Sequence, residues 1–345
     1  MPAVPSQFAQ AGGHDITTPH RVLSTPVAFF IFRRPECTRQ VFDAIRAARP
    51  ATLIVTADGW RNEEERKLCL AARAVTEEID WDCSVTRQYS NVNLGCGHRM
   101  ASGLNAVFDR HDRAIILEDD CLPTAGFFGY CAELLERYST NTRISAISGT
   151  SVYPYQRAQG RSYAFSRYSW IWGWATWSRA WQSYDFHVRD WPSLRDTNWL
   201  YAALKDRSAC LFWRGILDRV SRGEIDTWDY QWTFNCLRQD GLSVVPSVNM
   251  VSNIGFGPDA THTTDGKHRD GFRKSQDYCG SLVHPLEIEW NASLDARALR
   301  STLYFGFEAP SPLELLEYNL LQLRGRIPKP LRRVLRSISR ALALH

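Results

Sequence analysis

The amino-acid sequence predicts an α/β protein with a mostly parallel, Rossmann-like β-sheet flanked by helices. Apolar runs without polar alternation, such as VAFFIF (27–32) and AIIL (114–117), are typical of strands buried on both faces of a parallel sheet. These runs alternate with helical segments over the first 150 residues. The chain has 345 residues, of which 44% are hydrophobic and 23% charged, so one large domain or two ordinary domains are possible.

Strand and helix signals follow one another from residue 27 onward. The helix that starts at residue 62 is the most clearly marked, because Asn62 is a suitable N-cap and three acids occupy the first turn. After the first strand, the predicted elements are a helix over 37–48, a strand over 52–59, a helix over 62–77, a strand near 82–87, a helix over 97–110, a strand over 114–120, a helix over 124–138 and a strand over 144–149.

Four segments are expected along the chain. Residues 1–24 are predicted to be a flexible leader, 25–150 and 151–310 the two halves of one domain, and 311–345 a basic tail. Ten of the 13 tryptophans lie between Trp170 and Trp232, in the second half. Because no repeat and no rich linker separates the halves, the second is predicted to elaborate the sheet of the first.

Composition narrows the classes of protein. The nine cysteines include no CxxC pair and are odd in number, which indicates reduced thiols in a cytosolic compartment. We identify no signal peptide and no apolar run of about 18 residues that would span a membrane. The net charge of +4 comes from the segment after Tyr318, which has seven Arg and Lys and no acids. The rest of the chain has no basic stripe, so a nucleic-acid partner is not expected.

Three consecutive acids, Glu118, Asp119 and Asp120, follow the buried strand AIIL. Ligands of open α/β sheets bind at the carboxyl ends of strands, where like charges repel in a partly dry site. Mg²⁺ or Mn²⁺ would relieve this repulsion, with one or two carboxylates and substrate phosphates as ligands. The triplet therefore predicts a metal–diphosphate site, and the alternative is a strand that ends in a solvated turn.

With these features, the sequence resembles the GT-A glycosyltransferases. It is most similar to the branch of the Golgi N-acetylglucosaminyltransferases and to bacterial family-2-like glycosyltransferases. The resemblance covers roughly residues 25–265, and the acidic triplet, a DXD-like motif, is its most specific element. The matching stretches are VAFFIFRRPECTRQ, LIVTADG, the helix that ends in GLNAVF, AIILEDDCLPTAGFFGYCAELLERY and TWDYQW.

The resemblance implies an inverting, metal-dependent transfer from a nucleotide sugar, most often UDP-linked, to a saccharide acceptor. It makes residues 25–150 the nucleotide-sugar-binding half and 151–310 the acceptor-binding and catalytic half. Asp120 would coordinate the metal, Asp119 would face the ribose or diphosphate, and Glu118 would face the donor sugar.

The same resemblance assigns three residues to the nucleotide. Asp58, at the end of the second strand, would bind the base or ribose, with Arg33 beside it and His98 near the base. Each also has an ordinary alternative: a turn-forming Asp, a solvated Arg at a strand end and a solvated His on a helix face.

The catalytic base is expected in GEIDTWDYQWTFNCLRQ (223–239), where the family has its base at the start of a helix. Inverting transfer needs one carboxylate to take the proton of the acceptor hydroxyl. Asp226 is interpreted as the N-cap of this helix and Asp229, in the first turn, as the base. The alternative for Asp229 is that it only complements the helix dipole.

Two further ligand-binding features are predicted in the second half. The Gly-rich loop within 244–264 would close over the diphosphate, and its His262 would add a metal ligand, unless it is simply solvated. The segment 165–185 has five tryptophans, from which Trp172 and Trp174 are nominated as a platform for the acceptor sugar. Core packing is the equal alternative for these rings.

The tail 331–345 has leucine, valine and isoleucine on one helical face and four arginines on the other. This pattern predicts an interfacial helix, and a terminal helix docked on the body is the alternative. The cysteine content and the lack of a signal peptide predict a cytoplasmic protein. A membrane-bound tail would place it on the inner face of the cytoplasmic membrane and would suit a lipid-linked acceptor.

Two functions compete with sugar transfer: a sugar-phosphate nucleotidyltransferase and a non-enzymatic carbohydrate-binding protein.

Overall fold

A computed structural model describes residues 22–152, 160–255, 274–278, 280–301 and 310–323. The strands of these residues are β1 Val27–Ile31, β2 Thr52–Ala57, β3 Ser84–Tyr89, β4 Arg113–Glu118, β5 Cys121–Pro123, β6 Ile144–Ser148, β7 Tyr163–Ser166, β8 Trp174–Trp177, β9 Leu242–Pro246 and β10 Val251–Asn253. The helices are α1 Pro35–Ala48, α2 Glu63–Val75, α3 Cys96–Phe108, α4 Ala125–Arg137, α5 Ser178–Trp181, α6 Trp191–Leu194, α7 Trp199–Leu204, α8 Arg207–Ser221, α9 Asp229–Arg238, α10 Ala292–Ser301 and α11 Pro312–Leu323.

Eight strands form the central sheet in the order β3-β2-β1-β4-β8-β6-β9-β7. Six of them run in one direction, while β8 and β7 are antiparallel to their neighbours. The predicted α/β class with a mostly parallel sheet is therefore confirmed. The chain moves outward from β1 to β3 and then returns to the other side of β1 with β4, which makes the β1–β4 edge a topological switch point.

The strand β1 is covered on both faces, as its uninterrupted apolar sequence predicts. Phe29 packs in the cluster that contains residues of α1 and α4. Phe30 points to the opposite face and packs beside Leu104 of α3.

The predicted start of α2 is confirmed by its cap. The Asn62 side chain accepts the backbone N–H of Glu65 at 2.9 Å.

The tryptophan-rich second half contributes strands to the same sheet. Its strand β8 inserts between β4 and β6, and its register sets Trp174 opposite Ile116. A second aromatic core forms around α8, where Trp170, Trp191 and Trp213 are at most 1% exposed. Most of the tryptophan enrichment thus builds the core.

The ends of the chain bear on two predicted segments. Leu23, inside the expected leader, accepts the backbone N–H of Ala51 at 2.9 Å and so belongs to the folded domain. Tyr318 of α11 is 2% exposed and packs in the cluster around α8, so the start of the expected tail docks on the body. The amphipathic segment 331–345 lies outside the described residues. No helix in the described ranges combines the length and apolarity needed to cross a bilayer.

Candidate functional site

The carboxyl ends of β1 and β4 bring an arginine and two acids together at the switch point. Arg34 Nη1 donates to Asp120 Oδ2 at 2.7 Å and lies 3.8 Å from Asp119 Oδ1. The backbone N–H of Phe32 donates to the other oxygen of Asp119 at 2.9 Å. The acids of the triplet therefore face the loop after β1, where the sequence predicts a metal–diphosphate site.

The electrostatics of this cluster reflect crowded negative charge. Burial and the neighbouring Asp120 carboxylate raise the pKa of Asp119 to about 7. Burial also raises the pKa of Glu118 well above its ordinary range, and the charges of Asp120, Asp119 and Asp229 raise it further. Burial lowers the pKa of Arg34, but the Asp120 and Asp119 carboxylates outweigh it and raise the pKa overall. Added positive charge would stabilise this site.

Arg33 and Arg34 diverge, although they are adjacent in the sequence. Arg33 Nη1 donates to Glu65 Oε1 of α2 at 2.9 Å, and its guanidinium lies 5.8 Å from the centroid of the Phe32 ring. Arg61 also pairs with Glu65 and lies 5.9 Å from the same centroid. Arg34 rather than Arg33 contacts the acidic triplet, which the sequence pattern alone could not separate because both arginines follow the strand directly.

The two-stranded sheet of β5 and β10 closes one side of the cluster. The backbone N–H of Ile254 donates to the carbonyl oxygen of Asp120 at 2.8 Å. Gly255 follows, and a Cβ atom there would lie 2.3 Å from Asp120 Oδ2 and 2.6 Å from Arg34 Nη1. The Gly-rich segment therefore starts in contact with the Asp120–Arg34 pair. His262 lies outside the described residues.

The predicted base approaches the triplet from the second half of the chain. Asp229 lies in the first turn of α9, as predicted, but the helix begins at Asp229 itself and not at Thr227. The Thr227 hydroxyl donates to Asp229 Oδ1. Asp229 is close enough to Glu118 to be one of the charges that raise its pKa. Burial raises the pKa of the Cys96 thiol, and the charges of Glu118 and Asp229 raise it further, so the first residue of α3 lies within electrostatic range of both acids.

Asp226 caps a different helix from the one expected. The residue before α9 is Trp228, and the Asp226 carboxylate instead accepts the backbone N–H groups of Cys96 and Gly97, at 3.2 and 2.9 Å. The prediction that Asp226 caps α9 is therefore wrong, because Asp226 caps α3 instead. The residue before α3 is Gly95, which has no side chain to cap the helix. The first N–H groups of α3 are therefore available to Asp226, which lies 129 positions after Gly97.

Asp58 is 6% exposed and lies at the end of β2. Its carboxylate accepts the backbone N–H groups of Gly59, Leu94 and Gly95 at 2.9 to 3.1 Å. Burial raises its pKa, although these hydrogen bonds oppose the shift. In this structure Asp58 holds the loop that leads into α3, while its predicted contact with a nucleotide stays a prediction.

His98 and the nominated tryptophans differ in accessibility. His98 is exposed and stacks on Phe186, with ring centroids 4.2 Å apart. Trp174 is 1% exposed and stacks on Trp228 at 5.5 Å, so it belongs to the core and offers no ring face to a sugar in this conformation. Trp172 is partly exposed, and its carbonyl oxygen accepts the Thr150 hydroxyl at 2.7 Å.

The donor set limits how a metal could be held. Among the described residues, no group of three or more His, Cys, Asp or Glu side chains is arranged to bind a metal ion. Asp119 and Asp120 fit a hard cation such as Mg²⁺ or Mn²⁺ in the mode that uses one or two carboxylates and takes its other ligands from substrate phosphates and water. Arg34 would have to leave Asp120 Oδ2, or share it, when such a cation binds.

Comparisons with known proteins give only distant structural likeness. No family model matches the chain. No curated protein matches it. A structure of UDP-glucose pyrophosphorylase with UDP-glucose is 10% identical, with a TM-score of 0.24 over 43% of this chain and 64% of its own, so this chain spans less than two thirds of its length.

Two further structures have the same kind of likeness. An apo UDP-glucose pyrophosphorylase is 9% identical, with a TM-score of 0.27 over 46% of this chain and 79% of its own. The UTP-bound UGPase from Acinetobacter baumannii is 11% identical, with a TM-score of 0.33 over 87% of this chain and 99% of its own. At these values the likeness assigns no function to this chain.

Proposed function

We propose that this protein is an inverting, divalent-metal-dependent glycosyltransferase that moves a sugar from a UDP-linked donor to a saccharide acceptor in surface glycan synthesis. One observation carries the proposal. Asp229 opens α9 directly after Trp228, which stacks on Trp174, the residue that β8 sets opposite Ile116 of β4. This places Asp229 near enough to Glu118, at the end of β4, for its charge to raise the pKa of that carboxyl, although the two residues are far apart in the sequence. An acid at the end of a strand or in the first turn of a helix is common by itself, whereas two such acids near each other at a topological switch point support a reaction centre.

The donor side of the centre is the edge between β1 and β4. Arg34 would bind the diphosphate, and Asp119 would face the ribose or diphosphate. The Phe32 ring with Arg33 and Arg61 beside it supports binding of the base near the end of β1. Asp120 would hold a Mg²⁺ or Mn²⁺ ion, which supplies positive charge to the departing diphosphate when it is bound.

The proposed step is a direct displacement at the anomeric carbon. The oxygen of an acceptor hydroxyl forms a bond to this carbon as the bond to the phosphate oxygen breaks, and the nucleoside diphosphate departs with the electron pair. Asp229 takes the hydroxyl proton. Glu118, next to Asp119 in the triplet, would hydrogen-bond to a hydroxyl of the donor sugar.

The acceptor side is proposed to include Trp172. This residue directly precedes Gly173, whose Cβ position would lie 3.4 Å from the Leu117 side chain, next to the triplet. A partly exposed indole near the reaction centre is suited to stack on a sugar ring. Trp174 is left out of this role because of its burial.

A sugar-phosphate nucleotidyltransferase is the second enzyme class to separate. Enzymes of that class need a Gly-rich basic loop after the first strand, whereas here the connection from β1 to α1 is Phe32, Arg33 and Arg34, with Pro35 opening the helix. A binding protein for carbohydrates would use the tryptophans and would leave the convergence of Asp229 and Glu118 without a role.

The test is a product assay on a panel of nucleotide sugars with Mn²⁺, with and without mixed oligosaccharide acceptors. Release of a nucleoside diphosphate, by transfer or by slow hydrolysis, supports the proposal. Formation of a nucleoside triphosphate from the nucleotide sugar and pyrophosphate would instead establish a nucleotidyltransferase. No turnover, together with glycan binding that needs neither metal nor nucleotide, would overturn both enzymatic assignments.

A further inference from the structure

The start of α3 is clamped between the two halves of the chain. From the second half, the Asp226 carboxylate accepts the N–H groups of Cys96 and Gly97. From the first half, the Asp58 carboxylate accepts the N–H groups of Leu94 and Gly95. Four consecutive backbone N–H groups thus donate to two carboxylates, and each carboxylate reaches the helix from a different part of the site.

Two glycines allow the segment before α9 to lie very close to the start of α3, because any larger residue would clash with it. Gly95 has φ of +82°, which favours glycine, and a Cβ atom there would lie 2.7 Å from Asp226 Oδ2. A Cβ atom on Gly97 would lie 2.6 Å from the Thr227 carbonyl oxygen and 2.8 Å from Asp226 Oδ1. The segment before α9 therefore rests directly on the first turn of α3.

This contact reaches the proposed base within three residues. Thr227 follows Asp226, and its hydroxyl donates to Asp229 Oδ1. Gln231 Nε2 donates to the carbonyl oxygen of the same Thr227 at 2.7 Å. The Tyr184 hydroxyl donates to the Trp228 carbonyl oxygen at 3.0 Å, which fixes the segment from its other side.

We propose that Asp226 is a positioning residue, which sets the location of Asp229 relative to Glu118 by anchoring the start of α9 on α3. Asp58 is its counterpart, because it fixes the same turn of α3 to the end of β2. The inference rests on the proposed function, since Asp229 is the proposed base. Asp226 and Asp58, neither of which takes part in the proposed proton transfer, would then share one task. They would hold the donor-binding half and the catalytic half in a fixed position relative to each other.

The first test is a kinetic comparison of wild type, Asp226→Ala and Asp226→Asn on the nucleotide sugar that the panel identifies. Displacement of a reacting group by about 1 Å costs about 100-fold in rate. We expect kcat of Asp226→Ala to fall by about 100-fold, with the KM of the donor unchanged. Asp226→Asn should recover part of the loss, because its amide oxygen still accepts one of the two N–H groups.

A second variant approaches the contact from its other side. Gly97→Ala adds the Cβ atom that meets Thr227, so it should lower kcat in the same way while all carboxylates stay in place. Asp206→Ala is the matched control, because Asp206 caps α8 by accepting the Ala209 N–H at 2.8 Å and lies outside the site. This control should lower the melting temperature and leave kcat unchanged.

The second measurement does not depend on catalysis. Hydrogen exchange of the peptide that contains Cys96 and Gly97 should accelerate by tenfold or more in Asp226→Ala, and stay at the wild-type rate in Asp206→Ala. Unchanged exchange in Asp226→Ala, or a kcat that stays within twofold of wild type, would overturn the inference. If the wild-type protein turns over no nucleotide sugar, the proposed function fails. Faster exchange in Asp226→Ala would then still show that Asp226 anchors the start of α3, but its role in positioning a catalytic base would be overturned.

Discussion

The two halves of the domain carry their candidate site residues in different ways. In the first half, the acidic triplet and Arg34 lie at the carboxyl ends of two neighbouring parallel strands, β4 and β1, so the sheet itself brings them together. In the second half, Asp229 opens a helix whose approach is set by side-chain hydrogen bonds and glycine contacts. Changes to the side chains at the carboxyl ends of β1 and β4 should therefore affect ligand binding, and changes at the start of α9 should affect turnover.

The largest expected effect separates binding from turnover. Asp229→Asn removes the proposed base, so kcat should fall by about 10² to 10⁴-fold, the usual contribution of general acid–base catalysis. Nucleotide affinity should stay within about twofold, because the proposed role of Asp229 is to take the proton of the acceptor hydroxyl and not to bind the nucleotide. The measurement pairs turnover assays with calorimetric titration of the nucleotide, and Asp240→Asn, an exposed acid that pairs with Arg167, is the control. A loss of nucleotide affinity as large as the loss of kcat would contradict the assignment of Asp229 to turnover alone.

The next prediction concerns the tryptophan enrichment. Trp174→Ala should lower the free energy of unfolding by about 3–5 kcal/mol, the usual cost of deleting a buried aromatic side chain. Trp172→Ala should cost clearly less, because Trp172 is partly exposed. Chemical denaturation of both variants is the test. A stable Trp174→Ala with weakened glycan binding would show that Trp174 is a sugar platform after all.

A smaller, pH-dependent effect is expected for the ion pairs that tie α2 to the end of β1. The hydrogen bond from Arg61 is the largest cause that lowers the pKa of Glu65, which is 5% exposed. A depressed pKa in the folded state stabilises the fold above the unfolded pKa of about 4.3, and this contribution is lost as the pH falls through the folded value. Glu65→Gln should therefore cost about 2 kcal/mol at pH 7, and this cost should shrink steadily as the pH falls below the unfolded pKa. A pH-independent cost in denaturation curves would contradict this account.

The smallest effect is expected at Gly255. An added methyl group must push the Asp120–Arg34 pair aside, since it would lie within 2.6 Å of both side chains. Overpacking of this kind costs about 1–3 kcal/mol, so Gly255→Ala should weaken metal-dependent nucleotide binding by about tenfold. Gly215→Ala, in α8, is the control, because no heavy atom lies within 4 Å of its Cβ position. Titration calorimetry of both variants checks the prediction.

Sequence patterns predicted the first half far better than the second. Apolar runs, the Asn62 cap and the acidic triplet report local requirements, and each of them was found where it was expected. Burial of Trp174 and the capping of α3 by Asp226 depend on contacts between distant parts of the chain. Composition cannot distinguish a core tryptophan from an exposed one, because both are apolar aromatic residues next to glycine or serine.

The choice between Arg33 and Arg34 was also beyond the sequence. Both lie within three residues of the end of β1, and the position of α2 brings Glu65 to Arg33 while Arg34 pairs with Asp120. The positive φ of Gly95 and the close contact at Gly97 are equally invisible in the sequence, where a glycine is compatible with any loop. These positions are where tertiary contacts, rather than local propensity, decide the geometry of the site.

The most direct test of the central claim is calorimetric titration of UDP and other nucleoside diphosphates, with and without Mn²⁺, on wild type and Asp120→Asn. Binding of one nucleotide that depends on Mn²⁺ in wild type and is lost in Asp120→Asn is the predicted result, because Asp120 is the proposed metal ligand at the β1–β4 edge. Binding that is equally strong without Mn²⁺ or in Asp120→Asn, or no nucleotide binding at all, would contradict the account.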